Sequence, residues 1–126
     1  MKNLTKAGVL ALVASAGACN YSFVVRDTMT YRDETRAMLA TKDPVVKACY
    51  DEQLKTNPAV AGTVVVNFKV QPKTGKLVEP RIDDQQSTAP AALKQCVLGA
   101  VDGLALTPAD QNEGQGTFRW DFQPRG

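Results

Sequence analysis

"GTVVVNFKV", Gly62 to Val70, decides the fold. Val64, Val66, Phe68 and Val70 alternate with Val65, Asn67 and Lys69, the period-two signature of a strand buried on one face. "QPKTGK" follows, with Pro72 and Gly75 for a turn, and "LVEPRI", Leu77 to Ile82, returns as a second strand. Val78 and Ile82 share one of its faces, with Glu79 and Arg81 outward or flanking. Pro80 has no N–H to give a ladder, which places this strand at a sheet edge or on a bulge. The two strands form a hairpin.

Upstream lies "DPVVKACYDEQLKTNP", Asp43 to Pro58. Asp43 is a suitable N-cap and Pro44 suits the first helical position. Val46, Tyr50 and Leu54 recur every four residues with Val45 and Cys49 beside them, Lys47, Asp51, Glu52 and Lys55 take the outward positions, and Asn57-Pro58 stops the helix. Downstream, "STAPAALKQCVLGAV" offers Ser87 or Thr88 as cap, Pro90 in the first turn, and a stripe of Leu93, Cys96, Val97, Ala100 and Val101. The loop "DGLALTPADQNEGQG" leads to "TFRWDFQ", where Phe118, Trp120 and Phe122 alternate with Arg119 and Asp121. The order helix, strand, strand, helix, strand predicts an α+β fold. Two helices pack on one face of a small three-stranded antiparallel sheet, over residues 43–126.

The start of the chain is of another kind. Lys2 and Lys6 precede the apolar run "AGVLALVASAGA", which is shorter than the ~20 residues a membrane-spanning helix needs. It ends in Ala16-Gly17-Ala18, a small-x-small site for a signal peptidase, so residues 1–18 read as a signal peptide. A buried core helix has no reason to end in three tiny residues, and nothing caps this one. The same residues followed by Cys19 resemble the bacterial lipobox, although Ala16 stands where Leu is commonest. Cys19 is the expected lipidation site. An ordinary signal peptidase cut, releasing a soluble periplasmic or secreted protein, is the alternative. Several acyl chains anchor stably where one binds marginally. Asn20, in place of Asp, resembles lipoproteins exported to the outer membrane of Gram-negative bacteria, facing the periplasm. Residues 19–42 read as a lipid-anchored tether, in which Tyr31, Thr35 and Met38 could line a short helix.

With Cys19 occupied, Cys49 and Cys96 remain as a pair, and an even set in an exported protein implies a disulfide. If both helices cover the same face, their apolar stripes are neighbours. A core this small supplies about 3–5 kcal/mol by itself, and closing a loop of this length adds roughly 4 kcal/mol. Two unpaired buried thiols are the alternative. A metal site is weaker, since two thiolates would stand without His partners.

Composition narrows the chemistry. The chain has no His, which removes the commonest general base and metal ligand. It has no GxSxG and no Gly-rich phosphate loop. Asp83-Asp84 and Asp51-Glu52 are sequence neighbours and point to different faces, so neither is a converging carboxylate pair. No enzymatic activity and no cofactor is expected. Of 15 basic and 13 acidic residues, two lysines lie in the leader, so the remainder is neutral. Nucleic acid, which demands a basic face, is not an expected partner.

"VVKACYDEQLKTNPAVAGTVVVNFKVQPKTGKLVEPRI" followed by "ALKQCVLGAV" is similar to the C-terminal domain named for the gliding-motility proteins AgmX and PglI, itself similar to the C-terminal domain of TonB energy transducers. The shared features are Cys49-Tyr50, Asn57-Pro58, Gly62 before the valine-rich strand, Gly75 in the turn and Cys96-Val97, spanning residues 43 to 123. Leu106 and Thr107 precede Pro108 where such domains carry Phe-Pro, and Pro80 departs from the more regular residue of the family. The long transmembrane helix and proline-rich spacer of a TonB are not found, which argues against energy transduction. The resemblance implies docking of a partner in a gliding-motility or other envelope assembly, by addition of an extended segment to a sheet edge. Of the two candidate edges, Leu77–Ile82 is blunted by Pro80. The strand from Thr117 is favoured, with Thr117, Arg119, Asp121 and Gln123 as partner-binding positions. Self-association through the same edge, as a homodimer without a separate client, is the runner-up. A chain this short leaves little room for a small-ligand pocket.

Overall fold

The computed structural model describes residues 23–124. The fold is α+β: β1 (Phe23–Val24), α1 (Thr28–Ala40), α2 (Asp43–Thr56), β2 (Gly62–Val70), β3 (Leu77–Ile82), α3 (Ala91–Val101), β4 (Ala109–Asp110) and β5 (Gly114–Phe122). The main sheet is antiparallel in the order β3-β2-β5, and β1 pairs with β4 in a separate parallel ladder. Among the described residues there are three helices: the two expected over the sheet, and α1, where the sequence suggested a short helix within a tether. Among the described residues none is long and apolar enough to cross a membrane.

The patterned strands form as their periodicity requires. Val64, Val66, Phe68 and Val70 are all buried in the core together with Leu93, Val97 and Val101 of α3. β5 supplies Trp120 and Phe122 to the same face, the latter stacked at 5.1 Å on Tyr50 of α2. The Tyr50 hydroxyl donates to the Val60 carbonyl at 2.7 Å, so its polar end is satisfied within the core. Val45 is exposed, which leaves Val46, Cys49 and Tyr50 as the buried stripe of α2. Pro80 is accommodated in both of the ways its chemistry allows. β3 is an edge strand, and its register with β2 shifts between Asn67 and Lys69, with Glu79 in the left-handed region at φ 53°.

The first helix is a correction to the tether reading. Residues 23–42 are folded: α1 buries Thr35, Met38 and Leu39 on the core. Its start is capped by Asp27, whose carboxylate accepts from the Thr30 backbone N–H at 2.8 Å and the Thr30 hydroxyl at 3.1 Å. These bonds, led by the backbone N–H, hold the Asp27 carboxyl below its ordinary pKa. The predicted signal peptide, Cys19 and Asn20 lie outside the described residues.

The expected caps of the other two helices take different work. Asp43 is the first residue of α2, and its carboxylate accepts from the Trp120 indole N–H at 3.4 Å. Pro90 occupies the N-cap of α3. Ser87 and Thr88 instead complete the edge of β2 beyond the end of β3. Their hydroxyls accept from the Val65 and Thr63 N–H groups, each at 2.9 Å. Asp83 builds that turn by accepting from the Gln85 and Gln86 backbone, while its neighbour Asp84 pairs with Lys94.

Candidate functional site

Backbone direction fixes which edge of the sheet is open. The Thr63 carbonyl accepts from Thr88 and Ala89, and the Val65 carbonyl from Asp83. With the hydroxyl contacts just described, both residues turn their backbone groups away from β5. Successive strand residues turn to opposite sides, so Val64, Val66, Phe68 and Val70 bond across to Trp120, Phe118, Gly116 and Gly114. Gln115, Thr117, Arg119 and Asp121 therefore direct their N–H and C=O groups outward. Among the described residues, no hydrogen bond from another element reaches them.

The two sheet edges differ. Beyond its bulge, β3 has its start covered by the segment after α3: the Leu77 N–H donates to the Leu104 carbonyl at 2.9 Å, and Lys76 bridges to Ala105. Gly75 holds a left-handed φ of 73°, and a Cβ there would fall 2.1 Å from the Leu106 carbonyl oxygen, so only glycine admits this contact. β5 has none of these devices. Its nine residues keep unbroken register with β2, without Pro and without a bulge. Natural sheets normally blunt so long a flat edge.

Thr117, Arg119 and Asp121 are exposed, with side chains on the sheet face opposite the helices. The Thr117 hydroxyl donates to Asn67, Asp121 accepts from the Thr63 hydroxyl at 2.8 Å, and Arg119 pairs with Asp121 at 3.1 Å. The Thr63 bond, reinforced by Arg119, lowers the Asp121 pKa. Their contribution to an incoming strand is thus main-chain, with the side chains flanking it. Gln123 lies beyond the end of β5.

Beside this edge, on the helix side, is a groove of about 510 Å³ between α1 and the first half of β5. Its existence corrects the expectation that the chain leaves little room for a pocket. Glycine lets its walls approach closely: a Cβ on Gly114 would lie 2.8 Å from the Tyr31 ring, and one on Gly116 would lie 2.9 Å from Phe68. Phe68 and Phe118 give the groove an apolar floor, and Arg32 and Arg36 form its α1 lip. Within it the Thr35 hydroxyl is buried without a hydrogen-bond partner.

The groove is held in shape by a node that sequence reasoning missed. Asp110 is fully buried, and it accepts from the Arg26 backbone N–H at 2.8 Å and the Asn112 N–H at 2.8 Å. The Arg26 guanidinium lies 3.4 Å from Asp110, donates to the Pro108 carbonyl and pairs with Glu34 at 2.6 Å. Burial opposes ionisation of Asp110, but the Asn112 and Arg26 bonds outweigh it and hold its pKa below the usual value. Tyr31 closes this end by donating to the Asn112 carbonyl at 2.8 Å, and burial together with the Asp110 charge pushes its phenol upward. Asp27, a favoured N-cap residue ahead of Tyr31, Thr35 and Met38, was the available signal for the start of α1.

Cys49 and Cys96 form a disulfide between α2 and α3, with Cα atoms 5.8 Å apart. Cys49 is 4 % exposed, whereas Cys96 sits at the exposed flank of α3 and not on its buried stripe. The bond thus pins the helix layer from its outer side. Among the described residues there is no cluster of three or more metal-ligating side chains. Asp51 and Glu52 engage Lys47 and Lys55 along α2.

Comparison of the chain with protein-family models, with curated proteins and with solved structures gives no match.

Proposed function

We propose that this protein is a non-catalytic interaction module of the bacterial envelope, which docks a partner protein by adding an extended segment of it to the β5 edge. The observation that carries the reading is the row of outward main-chain groups on Gln115, Thr117, Arg119 and Asp121, unblunted along nine residues and bordered by a groove. Main-chain hydrogen bonds give affinity in such recognition, and pockets for alternate side chains give selectivity. A disulfide between two helices suits a compartment outside the cytosol. The export signal and Cys19 supply anchoring to the outer membrane in this proposal, and the resemblance to AgmX/PglI and TonB-type domains supports an envelope or gliding-motility assembly.

In-cell photocrosslinking from positions 117 and 119, followed by mass spectrometry, tests the reading. Capture of one extended segment of a second protein, lost on Arg119→Pro, is expected. Proline at Arg119 removes an N–H that points outward and leaves the ladder to β2 intact. Capture of this chain alone would favour self-association. Capture that is equal from the β3 position Arg81 would remove the β5 edge from consideration.

A further inference from the structure

The groove also has a chemical preference, and its strongest components lie on α1, outside the span of the family resemblance. Arg36 has no carboxylate within ion-pair distance among the described residues, and Arg32 has only its sequence neighbour Asp33, at 3.6 Å. Both arginines are exposed. The third groove arginine, Arg26, is already committed to Asp110 and Glu34. The opposing carboxylate at the mouth is Glu113, which accepts from Gln115. The α1 lip therefore presents two under-neutralised guanidinium groups. The floor, by contrast, is apolar.

An added strand sends every second side chain to the helix side, spaced about 6.6 Å apart. Arg32 and Arg36 are separated by about 6 Å along the helix, so they flank a single inward-facing position of such a strand. Resting on the strand-addition reading above, we propose that the occupant is an extended segment of a partner protein with Asp or Glu at one inward-facing position. An apolar side chain two residues away lies against Phe68 and Phe118. The carboxylate takes charge-assisted hydrogen bonds from Arg32 and Arg36.

A display library of random nine-residue peptides, selected on the full chain, tests this. The expected result is enrichment of Asp or Glu at one position with an apolar residue two positions away. Fluorescence anisotropy of the best peptide should show at least a tenfold loss of affinity on Arg32→Glu/Arg36→Glu. Replacing the acid of that peptide by Lys should restore binding to the charge-reversed protein, which a merely structural role for the arginines does not produce. Both positions are exposed, and circular dichroism checks that the variant folds. Selected peptides that lose binding on Arg119→Pro yet show no acidic preference would overturn the acidic segment and leave strand addition standing. Recovery of no peptide, of peptides indifferent to Arg119→Pro, or of a dimer that no peptide displaces would overturn both.

Discussion

Replacing Cys96 by Ala isolates the contribution of the cross-link, because the structure separates it from packing. Cys96 is exposed, so the substitution leaves no cavity, and the freed Cys49 thiol remains as a small apolar group in its buried site. The bond joins residues 47 apart, for which the loop-entropy relation gives about 4 kcal/mol at 25 °C. Unfolding entropy for a folded region of roughly 100 residues is about 0.2 kcal/mol per kelvin, so the midpoint should fall by about 20 °C. Differential scanning calorimetry of the full chain, with and without reductant, measures this. Wild type should drop by that amount in reductant, and Cys96→Ala should melt at the lower temperature in both buffers. Cys49→Ala should be lower again, by the cost of truncating a buried side chain. Equal melting of wild type with and without reductant would refute the reasoning, as would a Cys96→Ala shift below about 5 °C.

Other perturbations follow from the same contacts. A chain beginning at residue 43 loses Leu39, 1 % exposed in the core, together with Met38; at about 1.5–3 kcal/mol for each buried side chain it should be markedly less stable to urea than the intact chain. Because the Asp110 pKa is lowered by folding, its contribution is present above the unfolded value near 3.9 and lost as pH falls through the lower folded value. Stability measured across pH 2–5 should show this loss in wild type and a shallower slope in Asp110→Asn. Ser87→Ala removes the acceptor of the Val65 N–H, on a residue 1 % exposed, and should cost about 1–3 kcal/mol in denaturant titration.

What was legible in the sequence was what repeats. The alternation in Gly62–Val70 and Thr117–Phe122 and the apolar stripes of α2 and α3 report burial directly, since each period matches its backbone geometry. For α1 the face of Tyr31, Thr35 and Met38 was legible, but its polar surroundings made it read as a short helix in a tether and not as part of the core that buries Thr35, Met38 and Leu39. The pairing of β1 with β4 was illegible for another reason. Two-residue strands carry no period, and Arg26 and Asp110, 84 residues apart, meet only in three dimensions. Ser87 and Thr88 read as caps because a hydroxyl before a helix usually is one; here β2 outruns β3, and its unmatched N–H groups take those hydroxyls first. Cys96 was assigned to the apolar stripe by spacing, yet its position at the rim of α3 is what lets it reach Cys49 without displacing the core. For the site, the favoured strand was visible but the groove was not, since it depends on two glycines of β5 meeting side chains of α1 and β2.

Residue-resolved amide exchange of the full chain, free and saturated with a peptide recovered by selection, tests the docking edge most directly. The free protein should exchange rapidly at Thr117, Arg119 and Asp121 and slowly at Gly116, Phe118 and Trp120, and the peptide should protect the first set alone. Protection of all six in the free chain, or peptide binding that leaves the first set unprotected, would contradict strand addition at β5.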